Sequence, residues 1–220
     1  MAKAAGLLFD LDGTFADTAP DLGAALNRLR ADLDLPPLPL AQLRPHTSSG
    51  VRGMLGAGLN IVPGDARYSE LYERYLHFYT DALCVHTSVF PGMEELVSML
   101  EAHDIPWGII TNKTQRFTLP LLEQLGYAKR ANCIVSGDSS PRSKPAPHPM
   151  RMACALIACE PAHCLYVGDD RRDILAGRAV GMSTVAVRYG YLGTSEAIED
   201  WGADHIVERA GDIAALAGLA

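Results

Sequence analysis

Two carboxylates separated by one residue follow the first apolar run of the chain. Residues 5–9 are apolar, and the motif Asp10-Leu11-Asp12-Gly13-Thr14 directly follows them. Residues i and i+2 of a strand point the same way, and like charges that close oppose each other's ionisation unless a cation is shared. The spacing predicts a nucleophilic carboxylate at Asp10 and a second one at Asp12 beside Mg²⁺, with the backbone at Gly13 binding phosphate oxygens. A strand that merely enters an Asp-Gly turn is the alternative for this motif alone.

A hydroxyl, an amide and a lysine stand in later loops. Thr111 and Asn112 lie at the end of a second apolar run, and Lys144 lies in the proline-rich stretch 143–147. The hydroxyl and the amide can donate to phosphoryl oxygens, and the prolines after Lys144 keep its segment extended, so that the ammonium can offset negative charge. Taken singly, the pair could cap the next helix, and the lysine could be a solvated surface residue.

Three acidic residues, Asp169, Asp170 and Asp173, follow the apolar run 163–168. Acidic residues favour a helix N-terminus through capping and through the helix dipole. Three of them at the end of a buried strand exceed that need. The surplus indicates a bound metal ion.

These residues come together only if the elements before them form one sheet. Apolar runs predict five strands: 5–10, 106–111, 132–136, 163–168 and 183–187. Helical patterns separate the runs, and this alternation predicts an α/β fold with a doubly wound parallel sheet. Such sheets bind ligands at the carboxyl ends of their strands, where Asp10, Thr111 and Asp169 lie.

The stretch from residue 20 to residue 89 breaks the alternation, because it has helical patterns and no convincing strand. Its clearest pattern spaces aromatic and apolar residues helically from Tyr68 to Tyr79. We predict an α-helical cap domain, residues 17–89, inserted into a core domain of residues 1–16 and 90–220. Substrate specificity is expected from polar cap residues: Arg44, His46, Ser48, Ser49 and Arg52. A serine helix cap with solvated arginines is the alternative for this group.

Composition narrows the class of protein. The 220 residues are 48% hydrophobic and 20% charged, which predicts a packed globular core. The net charge of −7 argues against a nucleic-acid partner. With no apolar stretch of signal or membrane-spanning length and an odd number of cysteines, five, we expect reduced thiols, a cytoplasmic location and no membrane partner. The oligomeric state, monomer or homodimer, stays open.

In this order the motifs resemble those of the haloacid dehalogenase superfamily, in its phosphatase branch with a helical cap, over essentially the whole chain. The resemblance implies that Asp10 is the nucleophile and that Asp12 is the general acid and base of phosphoester hydrolysis. It implies phosphate binding by Thr111 and Lys144, beside the groups at Gly13 and Asn112. It implies a Mg²⁺ cofactor with these protein ligands: Asp10, the backbone carbonyl of Asp12, and Asp169.

Two positions depart from the usual pattern of the family. Asp170 stands where many relatives have serine, so either Asp170 or Asp173 could support the metal beside Asp169. Phe15 stands where leucine is more usual, and only a packing effect is expected there.

The segments beside the motifs are similar to those of phosphoglycolate phosphatases. Bacterial N-acetylmuramic acid 6-phosphate phosphatases share the same layout. The resemblance therefore implies a small carboxylated phosphoester as substrate, with 2-phosphoglycolate as the first candidate and N-acetylmuramic acid 6-phosphate as the alternative. A sugar phosphomutase of the same superfamily is a second enzyme class. A phospho-accepting signalling module is a third reading, against which the chain length, the cap and Asp12 all count.

Overall fold

The computed structural model describes residues 3–193 and 196–219. Residues 1–2, 194–195 and 220 fall within the predicted core domain and lie outside the described residues. The strands along the chain are β1 (Gly6–Phe9), β2 (Ala16–Asp17), β3 (Ser88–Val89), β4 (Trp107–Ile110), β5 (Cys133–Val135), β6 (Cys164–Gly168), β7 (Ser183–Val187) and β8 (His205–Val207). The α-helices are α1 (Ala19–Ala31), α2 (Leu40–Leu43), α3 (Gly50–Leu59), α4 (Tyr68–Asp81), α5 (Met93–Ala102), α6 (Gln115–Leu125), α7 (His148–Leu156), α8 (Arg171–Arg178) and α9 (Asp212–Leu216).

Six of these strands form one parallel sheet in the order β5-β4-β1-β6-β7-β8. β1 lies at its centre, where Leu8 is paired with Gly108 on one side and with Tyr166 on the other. Every residue of β1 is buried, as the unbroken apolar run requires of a strand with helices on both faces. The predicted α/β parallel-sheet fold is confirmed. Strands β2, β3 and β8 were not predicted, and β3 lies at the end of the stretch 20–89, where no strand was expected.

Apolar side chains fill the space on both faces of the sheet. Leu7 and Phe9 of β1 pack in one cluster with residues of α5 and α6, while Leu8 packs in a second cluster with residues of α7 and α8. Phe15 is fully buried in the first cluster, and its ring stacks on that of Trp107 with 5.6 Å between centroids. The aromatic ring at this position therefore packs in the core.

Helices α1 to α4 form the segment inserted after β1. α1 packs against both α3 and α4, and the Tyr75 hydroxyl donates to the Leu22 carbonyl at 2.9 Å. The chain enters the segment through β2 and returns through β3, and these two strands pair in an antiparallel ribbon. The Asp21 carboxylate, at the start of α1, accepts the backbone N–H groups of residues 85–87. The boundaries at residues 17 and 89 stay predictions.

No helix in the described part of the chain combines the length and the hydropathy needed to span a membrane.

Candidate active site

The ends of three central strands bring the predicted site residues to one edge of the sheet. Asp10 directly follows β1, Thr111 follows β4, and Asp169 follows β6. Because β1 lies between β4 and β6 and all three are parallel, their carboxyl ends are neighbours. A cavity of about 380 Å³ lies between these strand ends and the inserted helices.

Lys144 lies at the centre of this edge and is buried. Four acceptors surround its three N–H donors: the Asp10 and Asp173 carboxylates, each at 2.7 Å, the Ile110 carbonyl at 2.8 Å and the Tyr166 hydroxyl at 2.9 Å. Burial lowers the pKa of Lys144, but the two carboxylates more than offset this, so that its pKa lies above the usual value. The structure thus places a fixed positive charge against the predicted nucleophile.

Three buried carboxylates share the site with this ammonium. One oxygen each of Asp10, Asp169 and Asp173 lie within 4.8 Å of one another. Burial raises the pKa of Asp10 to about 7, with Lys144 opposing that rise and Asp173 adding to it. Burial, followed by the charges of Asp10 and Asp173, raises the pKa of Asp169 well above its usual value. One ammonium cannot balance three carboxylates, and the all-oxygen donor set fits a hard divalent cation.

The structure separates the roles of the two acids between which the sequence leaves a choice. Asp170 caps α8: its carboxylate accepts from the Arg172 backbone N–H at 2.8 Å and pairs with the Arg172 guanidinium at 2.7 Å. Burial raises the pKa of Asp170, but the hydrogen bonds from Arg172 outweigh it, and the net effect is a lowered pKa. Asp173 lies in the carboxylate cluster instead, and its second oxygen accepts the Asp170 N–H at 3.2 Å.

Asp12 points away from that cluster and toward the cavity. Its carboxylate accepts from the Lys113 ammonium at 2.9 Å and from the Thr18 hydroxyl. Burial lowers the pKa of Lys113, but the effects of Asp12 and Tyr79 outweigh burial. The pKa of Lys113 therefore lies above its usual value. The side chain of Asp12 is thereby held in one orientation beside Asp10.

Gly13 occupies a position that a side chain could not. Its φ is +90°, in the left-handed region, and an added Cβ would collide with the Asp169 carboxylate. The backbone can therefore turn tightly here, and the Gly13 N–H donates to the Ala16 carbonyl at 3.0 Å. Phosphate binding by the backbone at Gly13 stays a prediction.

The polar pair after β4 partly supports the neighbouring loop. The Asn112 amide donates to the Lys144 carbonyl at 3.0 Å and accepts the Lys144 N–H at 2.9 Å. The Thr111 hydroxyl accepts the Lys113 N–H at 3.1 Å, and both Thr111 and Asn112 line the cavity. Asn112 therefore positions Lys144, and the phosphate-binding roles of this pair stay predictions.

The five predicted cap residues do not all reach the cavity. Ser48, Ser49 and Arg52 line it, whereas Arg44 and His46 do not. Arg44 pairs with Asp17 of β2, and its guanidinium lies 5.3 Å from the centre of the Tyr191 ring. In the structure Arg44 therefore contacts Asp17, and its expected contact with substrate stays a prediction.

Sequence analysis missed several residues that line the cavity. They are Lys113, Arg172, Tyr68, Tyr72 and Tyr79. Arg172 donates to the Ser48 carbonyl at 2.7 Å and so joins the core to the inserted segment. Lys113 directly follows the Thr111-Asn112 pair, so its position beside that motif could have indicated a site residue. The tyrosines belong to the aromatic stripe that predicted α4, and that stripe was the available signal for them.

The fold and the site define a class of protein: α/β proteins with carboxylates and a buried lysine at the strand ends, under an inserted helical segment. Residues 7–187 match the family described as haloacid dehalogenase-like hydrolase. The chain belongs to this hydrolase family, which confirms the resemblance and the expectation of an enzyme.

Relatives with related names match over most of their length. The chain is 38% identical over 203 residues to the N-acetylmuramic acid 6-phosphate phosphatase of Pseudomonas aeruginosa, covering 92% of this chain and 90% of the relative. It is 40% identical over 204 residues to the phosphoglycolate phosphatase of Xanthomonas campestris pv. campestris, covering 92% and 91%. A crystal structure of a predicted phosphoglycolate phosphatase from Haemophilus somnus has the same fold, with a TM-score of 0.86 at 24% identity, covering 98% and 99%.

Proposed function

We propose that this protein is a Mg²⁺-dependent phosphomonoester hydrolase that acts through an aspartyl-phosphate intermediate. Its substrate is a small carboxylated phosphoester, with 2-phosphoglycolate as the first candidate and N-acetylmuramic acid 6-phosphate as the alternative. The observation that carries the proposal is the pairing of the Asp10 carboxylate with the Lys144 ammonium at 2.7 Å, beside the carboxylates of Asp169 and Asp173. The names of the relatives support the substrate class.

The first half of the reaction forms a bond to Asp10. A carboxylate oxygen of Asp10 attacks phosphorus in line with the ester oxygen, the phosphorus–ester bond breaks, and protonated Asp12 gives its proton to the leaving alcohol. The Lys144 ammonium keeps the attacking carboxylate in place and stabilises charge on the phosphoryl oxygens.

The second half releases phosphate. Asp12, now ionised, takes a proton from water as the water oxygen attacks the phosphorus of the aspartyl-phosphate. The bond between phosphorus and the Asp10 oxygen breaks, and inorganic phosphate and both free carboxyl groups result. The Lys113 and Thr18 contacts hold Asp12 in the orientation that both steps need.

The carboxylate cluster fits the metal that the family resemblance implies. Asp10 and Asp169, with the Asp12 backbone carbonyl, would be its protein ligands, and Asp173 would support them from the same cluster. Bound there, Mg²⁺ supplies Lewis-acid stabilisation of the phosphoryl oxygens and the positive charge that Lys144 alone does not provide. The cytoplasmic location and the oligomeric state stay predictions.

Release of inorganic phosphate from a panel of phosphomonoesters tests this proposal. We expect turnover of 2-phosphoglycolate or N-acetylmuramic acid 6-phosphate that stops with EDTA and resumes with Mg²⁺. Asp10→Asn should abolish turnover with the fold intact, whereas Asp104→Asn, at an exposed site, should not change it. Near wild-type activity of Asp10→Asn would rule out the covalent step, and isomerised sugar phosphate without inorganic phosphate would indicate a phosphomutase instead.

A further inference from the structure

Lys113 and Tyr79 form a polar corner of the cavity on the far side of Asp12. The Lys113 ammonium lies 2.9 Å from the Asp12 carboxylate and 5.1 Å from the centre of the Tyr79 ring. Lys113 belongs to the loop after β4, and Tyr79 belongs to α4 of the inserted segment. The corner is therefore built from both parts of the molecule, and both residues line the cavity.

The hydrogen-bonding capacity of this corner exceeds what the described residues use. An ammonium has three donors, and the Lys113 ammonium has one hydrogen-bond partner among the described residues, Asp12. The Tyr79 hydroxyl, on a residue that is 1% exposed, has no hydrogen-bond partner among them. Buried polar groups in folded proteins nearly always have a partner. Two such side chains in the wall of a cavity fit a group that only accepts hydrogen bonds.

The reaction fixes how near the substrate comes to this corner. As general acid, Asp12 must lie within about 2.6–3.2 Å of the ester oxygen of the substrate. The Lys113 ammonium is a further 2.9 Å from Asp12, so it lies within a few ångströms of the ester oxygen. A carboxylate on the carbon next to that oxygen can reach the ammonium. A carboxylate several bonds away, on the far side of a sugar ring, falls outside this distance.

We propose that Lys113 and Tyr79 form a specificity subsite for a carboxylate attached next to the ester carbon–oxygen bond of the leaving group. The inference rests on the proposed function and narrows its substrate to short phosphorylated 2-hydroxy acids, of which 2-phosphoglycolate is the simplest. The substrate carboxylate accepts from the Lys113 ammonium and from the Tyr79 hydroxyl while Asp12 contacts the ester oxygen. A neutral alcohol of the same length makes neither contact.

A matched pair of substrates tests the subsite. 2-Phosphoglycolate and ethyl phosphate differ in that a carboxylate replaces a methyl group, so the ratio of their kcat/KM values isolates the carboxylate. We expect a wild-type ratio well above 10 that falls about 10- to 100-fold in Lys113→Met, because a hydrogen bond to a charged group is lost. Tyr79→Phe should lower the ratio severalfold, and Lys129→Met, which removes an exposed lysine, should leave it unchanged.

The ratio of the two kcat/KM values distinguishes recognition of the substrate carboxylate by Lys113 from a role of Lys113 in positioning Asp12 alone. If Lys113→Met slows both substrates equally, Lys113 only positions Asp12 and the subsite does not exist. A wild-type ratio near 1, or faster turnover of N-acetylmuramic acid 6-phosphate than of 2-phosphoglycolate, also overturns the inference. Tyr79→Phe keeps the test available if Lys113→Met does not fold. Asp10-dependent phosphate release from any substrate in these assays shows that the proposed hydrolysis stands even where the subsite fails.

Discussion

Replacing Lys144 with methionine removes the fixed cation from a cluster of three buried carboxylates. Four acceptors lie 2.7 to 2.9 Å from the Lys144 ammonium, and the residue is 5% exposed. Removing one partner of a buried ion pair costs about 3–5 kcal/mol, because the remaining charge is buried without compensation. We expect the free energy of unfolding to fall by about that amount at pH 8 in the presence of EDTA.

The pH dependence of this loss follows from the raised pKa values of the carboxylates. Asp10 has a pKa of about 7 in the folded protein, above its ordinary value of 3.8, so the folded state binds its proton more tightly than the unfolded state does. Stability that depends on this group is greatest at low pH and falls as the pH rises through 7. Without Lys144 the carboxylates bind protons still more tightly, and the destabilisation should be smaller at pH 5 than at pH 8.

Urea unfolding of wild type and variant, with EDTA or with Mg²⁺, measures these effects. A cation at a free concentration of 100 times its Kd stabilises the folded state by about 2.7 kcal/mol. Mg²⁺ should therefore restore part of the free energy of unfolding that Lys144→Met loses at pH 8. Phosphate release should still fall about 100-fold or more, because Mg²⁺ does not replace the ammonium at the phosphoryl oxygens. Lys129→Met is the control. A loss below about 1 kcal/mol, or an equal loss at both pH values, would refute the assignment of Lys144 as the counter-charge of the cluster.

Three further predictions concern other parts of the molecule. Gly13→Ala should lower phosphate release at least about 10-fold and the free energy of unfolding by about 1–3 kcal/mol, since the methyl group meets Asp169 and φ is +90°; unchanged kinetics and stability would contradict the close approach. Asp12→Asn should lower kcat about 10²- to 10⁴-fold and accumulate phosphoenzyme in rapid-quench experiments; unchanged kinetics would exclude its acid–base role. Hydrogen bonds from Arg130 lower the pKa of Glu94 to about 2, so its stabilising effect is present above pH 4.5 and is lost as the pH falls toward 2. Glu94→Gln should therefore cost less than about 1 kcal/mol at pH 7, because the side chain is half exposed, and the urea midpoints of variant and wild type should converge near pH 2; a constant difference would contradict the pKa.

The central strands could be predicted because burial on both faces requires an unbroken apolar run. β1, β4, β6 and β7 have such runs. β2 and β3 have two residues each, and the pairing of Asp17 with Ser88 depends on chain segments far apart in the sequence. β8 has three residues, and two of them are not buried. These strands have no apolar run of their own, unlike β5, which is equally short but has two buried residues of three.

The site shows the same division between local and distant causes. Asp10, Thr111 and Asp169 could be placed because each follows a strand that the sequence predicts. Asp170 is the N-cap of α8 and pairs with Arg172, two residues away, whereas Asp173 is paired with Lys144 from a distant loop. Spacing along the chain is compatible with a cap at Asp170 but carries no information about the pairing of Asp173 with Lys144.

The Asp21 carboxylate, which accepts backbone N–H groups from residues 85–87, has a mechanical consequence. It ties the outgoing connection of the inserted helices to the returning one, just beyond the ribbon of β2 and β3. Because Lys113 follows β4 and Tyr79 belongs to α4, the corner beside Asp12 depends on this tie. A displacement of the inserted helices relative to the sheet would separate the two side chains and take the corner apart.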